Sequence, residues 1–249
     1  MSDELGRKVF ADALARSRSM AQVTPHCGIH QIPNMGFSNA YIVETDQQSL
    51  VLIDTGTRSG YTKVLTYLAS IERKPSDISY IVLTHADGDH SGSAAKLKSL
   101  TGANLAIHEL DAPRIAGAKK LKEVGGFGGV MVGLLGAFMR VERVNPDIAL
   151  KDGATIGPLT IVHTPGHTDG SISIYKPSEA MFVGDLLRTD GSGNLKLASA
   201  SMSRDMAEVR RSVETISKME FSMILPGHGK PIEEDAATKL RRFVEKGFK

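Results

Sequence analysis

The chain holds one cysteine, Cys27, in 249 residues. A lone thiol excludes an internal disulfide, agrees with a reducing compartment and reads as a small buried apolar residue. Charge of one sign is also scarce. The formal net charge is +2 and the basic residues are spread along the chain, so there is no electrostatic footprint for nucleic acid. Long apolar runs are missing as well. The apolar stretch 124–139 has sixteen residues, six of them glycine, which is short of the ~20 needed to span a bilayer and poor in helix propensity. Residues 1–8 place acidic residues ahead of a basic pair with no long apolar core behind them, unlike a secretory signal, so a cytoplasmic location is expected.

What is present suits a globular enzyme. With 41% hydrophobic residues and no evident linker, residues 1–249 are expected to form one domain around a large core. Apolar strand-like runs at 40–43, 50–53, 78–83 and 104–107 alternate with helical spacing: Tyr61, Val64, Leu65 and Leu68, then Ala94, Leu97 and Leu100. The second half repeats the scheme, with strands near 159–162, 171–175, 180–183 and 223–225, a helix over 205–219 and a last helix from Glu233. Residues 3–20 read as a short amphipathic helix with Leu5, Val9, Phe10 and Leu14 on one side. The pattern is that of a mixed α/β fold.

The chemistry concentrates at the ends of these runs. His85, Asp87, Asp89 and His90 fall within six residues directly after the run 78–83. Imidazole and carboxylate are the usual protein ligands of zinc and of harder divalent metals, and alternate spacing aims several at one point. Further groups of the same types follow other apolar runs: His167 after Thr164-Pro165-Gly166, Asp185 after Gly184, and His228 after Pro226-Gly227. Ligands so dispersed converge only if their strands neighbour one another, with their loops at one sheet edge.

Together with Asp54-Thr55-Gly56, these motifs resemble, in type and order, those of the metallo-β-lactamase superfamily of hydrolases. The resemblance covers most of the chain and implies a four-layer αββα sandwich. It implies a first metal held by His85, Asp87 and His167, a second held by Asp89, His90 and His228, and Asp185 bridging the two. The family's common motif is His-x-His-x-Asp-His, and here Asp87 stands at the second histidine. Two divalent ions are therefore expected, zinc first, with the added hard carboxylate also admitting iron or manganese. A metal-bridging hydroxide would be the nucleophile, because coordination lowers the pKa of water from 15.7 towards roughly 7. Asp89 is the expected catalytic residue, both ligand and acceptor from that water. The implied reaction is hydrolysis of an ester, lactone, thioester or amide in a small substrate. The alternative is a di-iron redox enzyme related to the metal domain of flavodiiron proteins. These resemble the chain in carrying a carboxylate at the position of Asp87, but they also join a flavodoxin-like domain, which is not expected within these 249 residues.

Other residues are read more plainly. Pro165 and Gly166 break any helix that would pair His163 with His167, so His163 is a supporting or structural residue. Thr168 and Ser171 are expected to orient His167. His26, His30 and His108 have no partner pattern: His30 and His108 read as packing or surface residues, and for His26 a place at the edge of the site is the lesser of two readings. For substrate, the glycine-spaced run 124–139 is expected to be either a buried connection or an apolar lid carrying Phe127 and Phe138, within an insertion around 110–145. Arg188 is the candidate clamp for a substrate carboxylate and Lys196 could add a point charge, the alternative being that both are ordinary surface residues. Neither a nucleic-acid partner nor a membrane span is expected.

Overall fold

Along a strand alternate side chains face opposite ways, and three apolar clusters sort the strands of this protein by that rule. On β3 (Leu50–Ile53), Leu50 and Leu52 pack with the helices while Val51 and Ile53 face a second sheet. On β10 (Ser178–Gly184), Ala180 and Phe182 meet the first sheet, and Met181 and Val183 turn to a different pair of helices. The result is four layers.

The computed structural model describes residues 28–45, 49–119 and 141–249. The expected helix over 3–20, His26, Cys27 and the run 124–139 with Phe127 and Phe138 lie outside the described residues. The first sheet has six strands in the order β1 (Ile29–Gln31), β2 (Tyr41–Glu44), β3, β4 (Ile78–Val82), β5 (Asn104–His108) and β6 (Ile148–Leu150). The second runs β13 (Phe221–Pro226), β10, β9 (Ile172–Lys176), β8 (Leu159–His163) and β7 (Thr155–Ile156). A hairpin of β11 (Leu187–Thr189) and β12 (Leu195–Leu197) stands apart.

Helices α1 (Gly60–Ser70) and α3 (Ala94–Thr101) cover the first sheet, separated by the single turn α2 (Gly88–Ser91); α4 (Ala112–Ile115) follows β5. Helices α5 (Met206–Ile216) and α6 (Ala236–Glu245) cover the second sheet. Asp205 caps α5, accepting from Ala207 N at 2.7 Å and Glu208 N at 3.1 Å, and Val209, Val213 and Ile216 bury the helix face. The last helix starts three residues later than expected because Asp235, at φ 53°, lies in the left-handed region and cannot continue a right-handed helix.

The strand directions place the functional loops. Strands β3, β4, β5 and β6 are parallel, as are β10 and β13, so within each set the carboxyl ends share one edge, where open α/β sheets bind ligands. Loops from the two sheets are stitched together there. Ile172 N donates to Thr84 O at 2.9 Å, and Asn39 N to Gly227 O at 2.7 Å. No helix among the described residues is long and apolar enough to cross a membrane.

Candidate metal centre

Six strand ends supply the cluster and its supports. Asp54 follows β3, the segment His85 to His90 follows β4, and Asp111 follows β5. His167 follows β8, Asp185 stands directly after β10, and His228 follows β13 with Gly227 between them. The seven expected ligands are brought together. Three overlapping groups, His85–Asp87–His167, His85–His90–Asp185 and Asp89–His90–His228, each have ligand atoms within 4.8 Å of one another.

Asp185 sits between the other groups. Its Oδ1 is 3.2 Å from His90 Nε2 and 3.3 Å from His228 Nε2, while its Oδ2 is 3.4 Å from His167 Nε2. Asp87 Oδ2 lies 3.2 Å from His167 Nε2 and 3.8 Å from His85 Nε2. Asp89 Oδ2 lies 3.3 Å from His228 Nε2 and 3.7 Å from His90 Nε2.

The four imidazoles share one orientation, with Nδ1 held from behind and Nε2 turned inward. His90 Nδ1 donates to Asp54 Oδ2 at 2.8 Å, and His228 Nδ1 donates to the Phe37 carbonyl at 2.7 Å. Thr84 Oγ1 gives its single proton to Asp54 Oδ2 at 2.8 Å, so the 3.0 Å contact with His85 is a donation from His85 Nδ1 to Thr84 Oγ1. His167 Nδ1 faces Ser203 Oγ at 3.3 Å. An imidazole whose Nδ1 carries the proton presents a lone pair at Nε2, which is the ligand state.

Proton and charge balance fit cations at this point. Burial opposes protonation of His90, yet Asp185, Asp54 and Asp89 outweigh it and raise its pKa well above the usual value. For His228, burial is likewise overcome by Asp185 and Asp89, and the pKa is pushed up to about 10. Burial and then the neighbouring His90 hold His85 well below the usual histidine value. Burial would raise Asp185 and Asp89, but the facing histidines, His90 first, hold both carboxyls below the ordinary range. These groups answer one another because no lysine or arginine among the described residues pairs with Asp89 or Asp185.

Two observations test the fit of metal directly. His85 Nε2 and Asp185 Oδ1 are buried without a hydrogen-bond partner, which is costly for polar atoms unless a cation supplies the contact. Ligands about 2.0–2.2 Å from one cation stand roughly 3–3.5 Å apart, close to most separations found here. Protons and cations compete for the same Nε2 atoms, so metal uptake by this cluster releases protons.

Glycine shapes the centre at Gly227. A Cβ there would stand 2.6 Å from both Asp185 Oδ1 and His90 Cε1. Gly227→Ala is therefore expected to displace the Asp185 carboxylate and weaken metal retention about tenfold or more, as misplaced ligand supports do. Metal content after dialysis against a graded chelator checks this; retention equal to wild type would contradict the placement.

Several supports were not apparent from sequence. Ser203, not Thr168, is the side chain against His167 Nδ1; Thr168 Oγ1 instead donates to Asp111 Oδ2 at 2.8 Å. The backbone of the Phe37 loop holds His228, and Asn39 Nδ2 and Tyr41 OH, donating to Pro226 O at 2.9 and 2.8 Å, fix the turn before it. His163 stacks on His108 with centroids 4.1 Å apart, and the buried His30 faces Tyr67 OH at 2.9 Å, both being packing roles. Arg188 is exposed on β11 opposite Lys196, one residue before Thr189, whose N–H donates to His228 O at 3.3 Å.

Known proteins bear on this geometry. An uncharacterized protein, YobT, of Bacillus subtilis (strain 168) is 27% identical over 220 residues, covering 85% of this chain and 91% of its own. The acyl-coenzyme A thioesterase MBLAC2 of Homo sapiens is 28% identical over 214 residues, covering 77% of this chain and 72% of its own. The crystal structure of TTHA1623 in a di-iron-bound form is 25% identical with a TM-score of 0.63, covering 84% of this chain and 93% of its own. The family model described as the metallo-beta-lactamase superfamily matches residues 33–228, a span that contains all seven converging side chains, and the chain belongs to that superfamily.

Proposed function

We propose that this protein is a binuclear metal-dependent hydrolase of small carboxylic thioesters or esters with an apolar acyl group. The observation that carries the reading is the convergence of four inward Nε2 atoms on three carboxylates, with Asp185 offering one oxygen to each half. His85, Asp87 and His167 would hold the first ion, Asp89, His90 and His228 the second, and Asp185 both. Two bound divalent ions supply a water of lowered pKa and an electrophilic contact for the substrate carbonyl.

The chain's own residues do the rest. The Asp89 carboxylate, beside His90 and His228, accepts the proton as water adds to the acyl carbon. The C–S or C–O bond then breaks, and the thiolate or alkoxide leaves with the proton that Asp89 accepted. The exposed large hydrophobic residues among those described are Phe37, Leu110 and Met202. Each adjoins the cluster: Phe37 O holds His228, Met202 precedes Ser203 at His167, and Leu110 precedes Asp111. These three are the residues proposed to supply an apolar rim for an acyl chain, and the name of the human relative agrees with a thioester substrate. Arg188 is the contact proposed for an anionic part of that substrate. Phe127 and Phe138 are proposed to add to the apolar wall.

An acyl-thioester series of rising chain length, followed by thiol release, tests this. Phe37→Ala and Met202→Ala are expected to lower kcat/KM about tenfold for long chains, as loss of the apolar area an acyl chain would cover predicts, and little for acetyl thioesters. Equal losses at every length would remove the rim from substrate binding.

Asp87 is the residue proposed to widen the choice of metal. Its hard oxygen replaces the nitrogen of the family's common motif, so zinc, iron and manganese all suit the first position. In competitive loading, Asp87→His is expected to shift the bound ratio several-fold towards zinc, and an unchanged ratio would contradict that role. The di-iron form of the structural relative favours a second reading, redox chemistry at two irons. Oxygen consumption by the iron-loaded protein, with no thioester cleavage, would establish it in place of hydrolysis.

A further inference from the structure

Two buried carboxylates grip the cluster in different ways. Asp54 reaches both halves: it accepts from His90 Nδ1, and from Thr84 N and Thr84 Oγ1 at 2.8 Å, the latter hydroxyl being the acceptor of His85 Nδ1. Asp111 lies elsewhere, at the end of β5, and is fully buried. Its Oδ2 accepts from Ala86 N at 3.0 Å and from Thr168 Oγ1 at 2.8 Å. Ala86 is the residue between His85 and Asp87, and Thr168 is the residue after His167. One carboxylate oxygen thus ties together the two loops that carry all three side chains of the first half.

The other oxygen and its surroundings show a built support. Asp111 Oδ1 is 3.2 Å from Arg114 Nε, and Arg114 Nη2 reaches Asp169 Oδ2 at 3.3 Å, in the same loop as His167. Arg204 pairs with Asp169 from the other side. Gly170 lets the loop close on this carboxylate, since a Cβ there would lie 2.7–2.8 Å from Asp111 N, Cβ and Cγ. Thr168 Oγ1 also contacts Ser171 Oγ at 2.8 Å, leaving it little freedom to move away.

We infer that Asp111, braced by Arg114, is the positioning residue of the first metal position alone, fixing His85, Asp87 and His167 independently of the second. The inference rests on the binuclear reading above. It makes the two positions separable, because no hydrogen bond or ion pair of Asp111 reaches the residues of the second.

The test is a titration of the metal-free full-length chain with Zn²⁺ against a chromophoric chelator, which reads two affinities. His167→Ala and His228→Ala identify which step belongs to which position. Asp111→Asn and the milder Thr168→Val are expected to weaken the first step about 10- to 100-fold, the range for residues that orient ligands, and to leave the second within about threefold. Thermal melting of the metal-free variants separates this from general destabilisation, and Thr168→Val keeps the test decisive if Asp111→Asn folds poorly. Equal weakening of both steps, or an unchanged first step in both variants, would overturn the inference. A wild-type chain that takes up a single equivalent would instead overturn the binuclear reading, and Thr168→Val would still have to weaken an ion assigned by His167→Ala.

Discussion

Asp185→Asn is expected to empty both metal positions and to lower kcat/KM by more than about 100-fold, beyond the loss typical of residues that only orient ligands. The reasoning is electrostatic and geometric. Both oxygens are used, Oδ1 towards His90 and His228 and Oδ2 towards His167. An amide keeps the shape but removes the negative charge and replaces one oxygen with an N–H donor, which faces a cation instead of binding it. Removing that charge also weakens the attraction that raises the pKa of His90 and His228, so the metal-free variant folds without the compensation that the wild-type cluster provides. Metal content and thioester turnover measured on the same preparation check the expectation. Loss of one equivalent only would contradict a carboxylate shared by both ions.

Asp54→Asn has the second largest expected effect, and it acts without touching metal. Asp54 adopts φ 58°, a conformation that asparagine tolerates, so the backbone is preserved. Its two oxygens accept from Thr84 N, Thr84 Oγ1 and His90 Nδ1, all at 2.8 Å. One amide oxygen cannot serve all three donors. The buried N–H group left facing a donor costs about 1–3 kcal/mol, and His90 loses the carboxylate that fixes its tautomer. The expected outcome is a lower melting temperature together with a 10- to 100-fold weaker second metal position. A variant with wild-type affinity at that position would show that the His90 orientation does not depend on Asp54.

Much of this arrangement can be read from sequence wherever a pattern is long or chemically dense. The runs at 50–53 and 104–107 appear as β3 and β5 because their alternating apolar residues face two separate cores. The helix expected over 205–219 appears as α5, which buries Val209, Val213 and Ile216 behind its Asp205 cap. All seven expected ligands meet, because residues of ligand type at strand ends have few other ways to be buried together. Elements of two or three residues, such as β7 and β11, carry too few alternations to be distinguished from loop. The supports were harder to see for a different reason. Ser203, Asp111 and the Phe37 carbonyl touch the site through contacts 36, 25 and 191 residues apart in sequence, and a serine or a backbone carbonyl has no local signature. Thr168 and Ser171 do tie their loop together, Thr168 N donating to Ser171 Oγ, but the hydroxyl of Thr168 turns to Asp111, a residue distant in sequence.

The central claim is that Asp185 joins two metal positions in one hydrolytic centre. Elemental analysis of the full-length chain, reconstituted with Zn²⁺ and assayed in parallel for acyl-thioester hydrolysis, tests it most directly. The account predicts two equivalents per chain, with turnover rising as the second equivalent is filled. At most one equivalent after full reconstitution, or turnover that is complete before the second ion binds, would contradict it.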